Sequence, residues 1–138
     1  MSGCSRRTFN LVLCGATVEL VACGSSLATV APSGNQVTLA YAQFPALMSP
    51  GGSAVVQIQN GFPLAVVRTG DATAVALSAT CTHAACIVQY DAAQSFLHCN
   101  CHNADFDLQG AVLRGPTTIP LPTYAASPNA DGIVVDLS

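Results

Sequence analysis

The sequence predicts an all-β domain of antiparallel strands. Short runs rich in Val, Ala, Ile and Leu recur along the chain, turn residues separate them, and no segment has the periodicity of an amphipathic helix. With 138 residues, 51% hydrophobic and 8% charged, the chain suits one small domain with one core. No stretch reaches the roughly 18 to 20 apolar residues that span a bilayer, so we expect no transmembrane anchor.

The predicted strands begin after the first quarter of the chain. They cover residues 37–41, 54–59, 64–68, 73–79, 87–90, 95–98, 111–113 and 133–137. Gly51-Gly52, Asn60-Gly61 and Gly70-Asp71 separate the first four, and Asn-Gly is a strong hairpin signal. A turn at residues 91–94 would join two strands into a hairpin, and a turn at 129–132 would precede the last strand.

The first 22 residues predict an export signal. The run Ser5-Arg6-Arg7-Thr8-Phe9 resembles a twin-arginine signal, and an apolar stretch interrupted by Glu19 follows at residues 11–22. The run Leu20-Val21-Ala22-Cys23 resembles a bacterial lipoprotein processing box. It predicts cleavage before Cys23 and a diacylglyceryl group on that thiol, the alternative being an ordinary signal with a chance cysteine.

Residues 23–35 are expected to form a lipid-anchored tether ahead of the folded domain at 36–138. Residues 24–35 read GSSLATVAPSGN and show neither helix nor strand periodicity. A dozen such residues have an r.m.s. span on the order of 20 Å. That length would let an anchored domain sway near the membrane.

Two short boxes carry the chemistry of the chain. Cys81-Thr82-His83-Ala84-Ala85-Cys86 and Cys99-Asn100-Cys101-His102 each supply two cysteines and one histidine. Two thiolates and two imidazoles can hold an iron–sulfur centre in which histidines replace cysteines on one of two irons. A zinc site could also use four of these side chains, although zinc sites usually have C-x(2 to 4)-C spacing. A purely disulfide-bonded pair of loops is a further alternative.

The CTHxxC and CxCH boxes resemble the disulfide-containing branch of the Rieske family, which includes the iron–sulfur subunits of cytochrome bc-type quinol-oxidising complexes. The resemblance implies a Rieske [2Fe-2S] cluster. Cys81 and Cys99 would be the ligands of one iron, and His83 and His102 those of the other.

The same resemblance implies a disulfide between Cys86 and Cys101 and a Rieske fold. In that fold a small cluster-binding subdomain, here about residues 80–116, is inserted in a β-sandwich-like base. Residues 113–116, with Pro120 and Pro122, resemble the family's proline loop, which covers the cluster. Proline fixes φ and lacks an N–H, so such a loop can be stiff.

The chain departs from the quinol-complex proteins just after the second box. Those proteins usually carry a serine and a tyrosine whose hydroxyls donate hydrogen bonds to a bridging sulfide and a ligand sulfur. Ala104 and Phe106 stand there in this chain and cannot donate. We therefore expect a lower reduction potential, similar to small Rieske subunits of other respiratory oxidoreductases, including arsenite oxidase. Asn103 replaces a glycine and tolerates left-handed backbone; His98 fits neither box and is expected at a surface strand end.

The expected disulfide and the export signal together predict the compartment in which the protein works. A structural disulfide implies an oxidising compartment, and a cluster assembled in the cytoplasm must cross the membrane in a folded protein, as the twin-arginine route allows. We expect a periplasmic or otherwise extracytoplasmic protein, anchored in the membrane through Cys23, that transfers single electrons as a shuttle or small subunit. The alternatives are the iron–sulfur subunit of a quinol-cytochrome c reductase and a structural lipoprotein that binds zinc or only forms disulfides.

Charge and size limit the partners. From Cys23 onward the chain has two arginines, no lysine and six aspartates, a net charge of −4. Nucleic acid is not an expected partner, whereas a basic electron-transfer protein such as a c-type cytochrome is compatible. A Rieske oxygenase is not expected, because His98 alone is left over and cannot build a two-His-one-carboxylate iron site.

Overall fold

The computed structural model describes residues 27–82 and 86–138. The predicted export signal, Cys23 and His83 lie outside these residues. The described residues form eleven strands, β1 (Ala28–Val30), β2 (Gln36–Ala40), β3 (Ser53–Ile58), β4 (Pro63–Arg68), β5 (Ala74–Ser78), β6 (Gln89–Asp91), β7 (Phe96–Cys99), β8 (Ala104–Phe106), β9 (Val112–Arg114), β10 (Thr123–Pro128) and β11 (Gly132–Asp136). One short 3-10 helix, Pro45–Met48, follows β2. The all-β prediction is confirmed, and none of the described helices has the length and hydrophobicity to cross a membrane.

Seven strands form a nearly closed base sheet in the order β1-β3-β4-β5-β10-β11-β2. Strand β4, which lies between β3 and β5, is buried almost throughout, which explains its apolar run from Leu64 to Val67. Strand β2 alternates instead, with Val37 and Leu39 inward and their neighbours exposed, the pattern of a strand with one face in water.

The prediction that residues 24–35 contain no strand is wrong. Ala28–Val30 form β1, which pairs in parallel with β3 and places Ala28 opposite Val56 and Val30 opposite Ile58. Two of its three residues are exposed, so no alternation of apolar and polar residues marks the strand. The sheet therefore begins at Ala28, before the predicted domain start at residue 36.

Two more strands were not predicted. β10 begins with Thr and Tyr but continues with Ala, Ala, Ser and Pro and is half exposed, yet it pairs with both β5 and β11. β8 is only three residues long and contains Asp105. Neighbouring strands, not local composition, hold both segments extended.

The other four strands form a small sheet in the order β6-β7-β8-β9. These strands lie between β5 and β10 in the chain, so the predicted inserted subdomain is present. A bridge between Thr80 and Ile87 links its first residues to the end of β5. The predicted hairpin joins β6 to β7, and Ser95 adopts a left-handed φ of 60° in its turn.

Two clusters of buried side chains hold the fold together. One fills the base sheet around Leu39, Leu64 and Ile133. The second lies where the two sheets meet and includes Leu77 and Phe106 together with Cys81 and Cys99. The base and the inserted sheet thus share the apolar cluster that contains both cysteines.

Arg68 links neighbouring segments by hydrogen bonds at the end of the base sheet that lies away from the boxes. Its buried guanidinium donates to the hydroxyl of Tyr41 and the carbonyl of Leu47, each at 2.9 Å, and to the carbonyl of Gly70 at 2.7 Å. Only one of the two arginines among the described residues, Arg114, therefore has an exposed side chain.

Candidate metal centre

Two buried thiols lie at the junction of the sheets. Cys81 begins the first box shortly after β5, and Cys99 ends β7; their exposed fractions are 2% and 0%. Both are free of disulfides. Burial raises the pKa of the Cys99 thiol; the backbone N–H of Cys101 acts in the opposite direction, and the neighbouring side chain of Cys81 raises the pKa further. The two thiols thus lie close together in an apolar site.

The predicted pairing of Cys86 with Cys101 is present as a disulfide. It joins the first box to the second over a sequence separation of 15 residues. Both of its sulfurs lie within 4.8 Å of the Cys99 sulfur. Disulfide sulfurs are not thiolates, so this grouping of three cysteines is not a ligand set, and Cys81 and Cys99 remain as the available thiols among the described residues.

Two of the three histidines, His98 and His102, lie among the described residues. His83 lies outside the described residues, so its predicted ligand role stays a prediction. His102 is exposed and directly follows the disulfide, and its backbone N–H acts on the Cys99 sulfur. His98, as predicted, lies near the end of β7 and is partly exposed; its Nδ1 is 2.5 Å from Oδ1 of Asp105, a partner that the sequence did not suggest.

Ala104 and Phe106 are fully buried in the apolar cluster that contains Cys81 and Cys99. Ala104 lies directly opposite Cys99 in the β7–β8 ladder. Neither side chain can donate a hydrogen bond, whereas the backbone N–H groups of Cys101 and His102 act on the Cys99 sulfur. The hydrogen bonds of that sulfur therefore involve the main chain of the second box and the side chain of Cys81, and not residues 104 and 106. Asn103 has a left-handed φ of 58°, as expected for the residue before Ala104.

Residues 115–122, named here the covering loop, contain Pro116, Pro120 and Pro122 of the predicted proline loop and contact the first box. The first two residues of that prediction, 113 and 114, belong to β9 instead. The hydroxyl of Thr82 donates to the carbonyl of Ile119 at 2.7 Å and lies 2.9 Å from the hydroxyl of Thr117. The far end is fixed by the N–H of Leu121, which donates to the carbonyl of Gly110 at 2.9 Å. A Cβ on Gly110 would meet the Leu121 carbonyl oxygen at 2.4 Å. The sequence named the loop but not these contacts, because each joins residues far apart in the chain.

The donor set fits an iron–sulfur cluster with mixed ligands. Each of the two neighbouring thiols can lose its proton and bind a metal as a thiolate, main-chain N–H groups donate to one of the sulfurs, and His102 follows Cys101 in the second box. Such N–H groups stabilise the extra negative charge of a reduced centre. The disulfide holds the two boxes together without using either free thiol.

Comparison with protein families decides between the alternatives. The family model of the Rieske [2Fe-2S] domain matches residues 42–125, more than half of the chain. The chain belongs to the Rieske family. Its cofactor is therefore a Rieske [2Fe-2S] cluster, and its chemistry is electron transfer; the zinc-binding and disulfide-only alternatives have no support.

Relatives of this Rieske chain include iron–sulfur subunits of cytochrome b6-f complexes. It is 33% identical over 94 residues to a cytochrome b6-f complex iron-sulfur subunit of Chlorobaculum tepidum, covering 68% of this chain and 51% of the relative. It is 31% identical over 104 residues to cytochrome b6-f complex iron-sulfur subunit 2 of Synechocystis, covering 74% and 57%. The chain thus spans about half the length of the curated relatives it matches.

Solved structures support the same fold. The plasma membrane Rieske protein PetC3 of Synechocystis is 33% identical, with a TM-score of 0.57 over 70% of this chain and 94% of that chain. The ferredoxin of carbazole 1,9a-dioxygenase from Nocardioides aromaticivorans is 25% identical, with a TM-score of 0.58 over 73% and 95%. The Rieske fold thus accounts for most of this chain.

Proposed function

We propose that the chain is an exported, lipid-anchored Rieske protein that transfers single electrons outside the cytoplasmic membrane. It acts as a shuttle or as a small subunit of a respiratory oxidoreductase. Cys81 and Cys99 bind one iron, and His83 and His102 bind the other. When bound, the cluster accepts and returns one electron; the protein supplies a buried site, main-chain donors and a covering loop.

One observation carries this proposal. Two free, buried thiols lie beside a disulfide that joins the two boxes. A Rieske cluster needs two thiolates, and a structural disulfide persists in an oxidising compartment. One protein that needs both is best served by cluster assembly in the cytoplasm and export in the folded state, for which residues 5–9 resemble the signal.

The proposed anchor lies close to the folded domain. Cys23 and Ala28, the first residue of β1, are five residues apart, and five extended residues reach at most about 18 Å. A lipid on Cys23 would hold the domain near the membrane surface. This distance replaces the longer tether expected from the sequence, and it favours a partner that comes to the membrane over a domain that travels far.

The net charge of the chain would attract a basic partner from a distance rather than at the cluster site. Asp91 and Asp107 lie at the ends of β6 and β8 that point away from the boxes. A c-type cytochrome or another basic electron-transfer protein would be attracted by the net negative charge. Its closest approach would be at His102, which is exposed.

A second candidate function is that of the iron–sulfur subunit of a quinol-oxidising complex. The matches to cytochrome b6-f complex subunits favour it. Ala104 and Phe106 argue against it, because a cluster without hydroxyl donors is harder to reduce. Ascorbate distinguishes the two: reduction of the native protein by ascorbate supports quinol oxidation, and no reduction supports a lower-potential role.

Export and anchoring are tested by fractionation of cells that produce the tagged full chain. The native protein is expected in the membrane fraction with a mass increase on Cys23. A Cys23→Ser variant should be exported but released, and an Arg6→Lys/Arg7→Lys variant should stay in the cytoplasm. A Cys14→Ser variant, which changes a cysteine outside the lipoprotein-like box, serves as the matched control. Membrane attachment of Cys23→Ser would refute the lipid anchor, and export of the double lysine variant would refute the twin-arginine route.

A further inference from the structure

A buried carboxylate ties together three strands of the small sheet. Asp105 is only 3% exposed. Its Oδ1 lies 2.5 Å from Nδ1 of His98, and its Oδ2 accepts from Nε and Nη2 of Arg114 at 2.9 and 2.8 Å. His98, Asp105 and Arg114 face one another across β7, β8 and β9. These three residues are named here the carboxylate clamp.

Each partner of Asp105 is attached to a different part of the cluster site. His98 immediately precedes the proposed ligand Cys99, and Cys99 lies opposite Ala104, the residue before Asp105. The clamp therefore fixes the strand pair from which the second box emerges. Charge-assisted hydrogen bonds are stronger than neutral ones, so this pairing is firmly held.

Arg114 connects the clamp to the covering loop. It is the last residue of β9, and Gly115 begins the loop. The middle of the loop is bonded to the first box through Thr82, and its far end is bonded to Gly110. The Arg114–Asp105 pair is thus the attachment between the start of the covering loop and the strands of the second box.

The geometry points to Asp105 as a positioning residue for the cluster. It holds the covering loop and the second box at a fixed separation and so limits the access of water to the site. Solvent exposure is one of the factors that set an iron–sulfur potential. The reduced cluster is the more negative state, so greater access of water would stabilise it and raise the potential. The inference rests on the ligand set given under the proposed function.

Two single variants of the holoprotein separate this role from a simple effect of charge. Asp105→Asn removes a negative charge and Arg114→Gln removes a positive one, so charge alone would raise the potential in the first and lower it in the second. Release of the loop would raise the potential in both. Asp107→Asn is the matched control, since its oxygen caps the β8–β9 turn and an asparagine oxygen can do the same.

The measurements are the midpoint potential by EPR-monitored titration at one fixed pH and hydrogen exchange of the amides at residues 115–121. We expect exchange to become faster by roughly tenfold or more in both variants, because each loses a hydrogen bond between charged groups. The potential should rise in both. The Asp107→Asn control should keep the native exchange rates, and its potential should rise by less than that of Asp105→Asn, because only its charge is lost.

Three results would overturn the inference: native exchange rates in both variants, faster exchange with an unchanged potential, or a fall in potential in Arg114→Gln. If Asp105→Asn fails to fold, Arg114→Gln decides alone, because 62% of the Arg114 side chain is exposed. The EPR spectrum of the native protein tests the cluster itself, so loss of the proposed function is distinguishable from failure of the clamp.

Discussion

The hydroxyl of Thr82 donates a hydrogen bond to the carbonyl of Ile119 at 2.7 Å, which joins the first box to the covering loop 37 residues later. The hydroxyl of Thr117 then donates to Thr82 and accepts from the N–H of Ile119. Thr82 therefore fixes the loop at its middle, and in the chain it immediately precedes the proposed ligand His83.

Replacing Thr82 with valine keeps the shape of the side chain and removes both hydrogen bonds. We expect the holoprotein to lose about 1 to 2 kcal/mol of unfolding free energy and to lose its cluster faster, measured by urea unfolding and by decay of visible absorbance. Thr73→Val is the control, because it removes the hydroxyl bond to Thr69 at the end of the base away from the boxes. Equal rates of cluster loss in the two variants would contradict the role of Thr82.

Hydroxyl groups placed at residues 104 and 106 should raise the potential. If each new donor stabilises the reduced cluster by roughly 1 kcal/mol, each raises a one-electron potential by about 40 mV. An Ala104→Ser/Phe106→Tyr variant is measured by redox titration, with Ala93→Ser/Phe96→Tyr as control at the end of the hairpin away from the boxes. No upward shift in the first variant would refute the account of the potential.

The disulfide should account for a large share of the stability of the two boxes. Closure of a loop of about 15 residues is associated with roughly 3 kcal/mol of stability. We expect Cys86→Ser, Cys101→Ser and the double variant to lose similar amounts in chemical unfolding of the holoprotein, because each breaks the same bond. A double variant as stable as the native protein would show that the apolar cluster alone holds the boxes.

The cluster-free protein should become less stable as the pH rises. Burial raises the pKa of Cys99 above its ordinary value of 9.0, so the folded chain keeps this proton at pH values where the unfolded chain has lost it. The resulting stability is complete below the unfolded pKa and is lost as the pH rises through the folded one. Urea midpoints between about pH 7 and about pH 10.5 should show this loss, and Cys99→Ser should show less. The same dependence of the urea midpoint on pH in the native protein and in Cys99→Ser would contradict this prediction.

The sequence predicted the features whose physical cause is local. Asn60 and Asn103 have the left-handed backbone that turns favour, and the alternation around Val37 and Leu39 marks one buried face. The resemblance of the two boxes to the family predicted the disulfide between Cys86 and Cys101, because that resemblance depends only on residue types and their spacing in the sequence.

The features that the sequence did not predict depend on distant partners. Ala28–Val30 is a strand because β3 pairs with it, and no property of its own residues indicates that. Asp105 looks like a surface residue in the sequence, yet it is buried because His98 and Arg114 satisfy its carboxylate from the two neighbouring strands. Residue patterns predict which face of a strand is buried and where turns occur. Contacts between neighbouring strands can be identified only once the pairing of those strands is known.

The central claim is that Cys81, His83, Cys99 and His102 hold a Rieske cluster that transfers single electrons. Its most direct test is an EPR-monitored redox titration of the fragment from Gly24 onward, which contains all described residues. We predict a rhombic Rieske-type signal on reduction, with a midpoint in the lower part of the range of about −150 to +300 mV. A sample that stays EPR-silent on reduction and contains zinc would contradict the account.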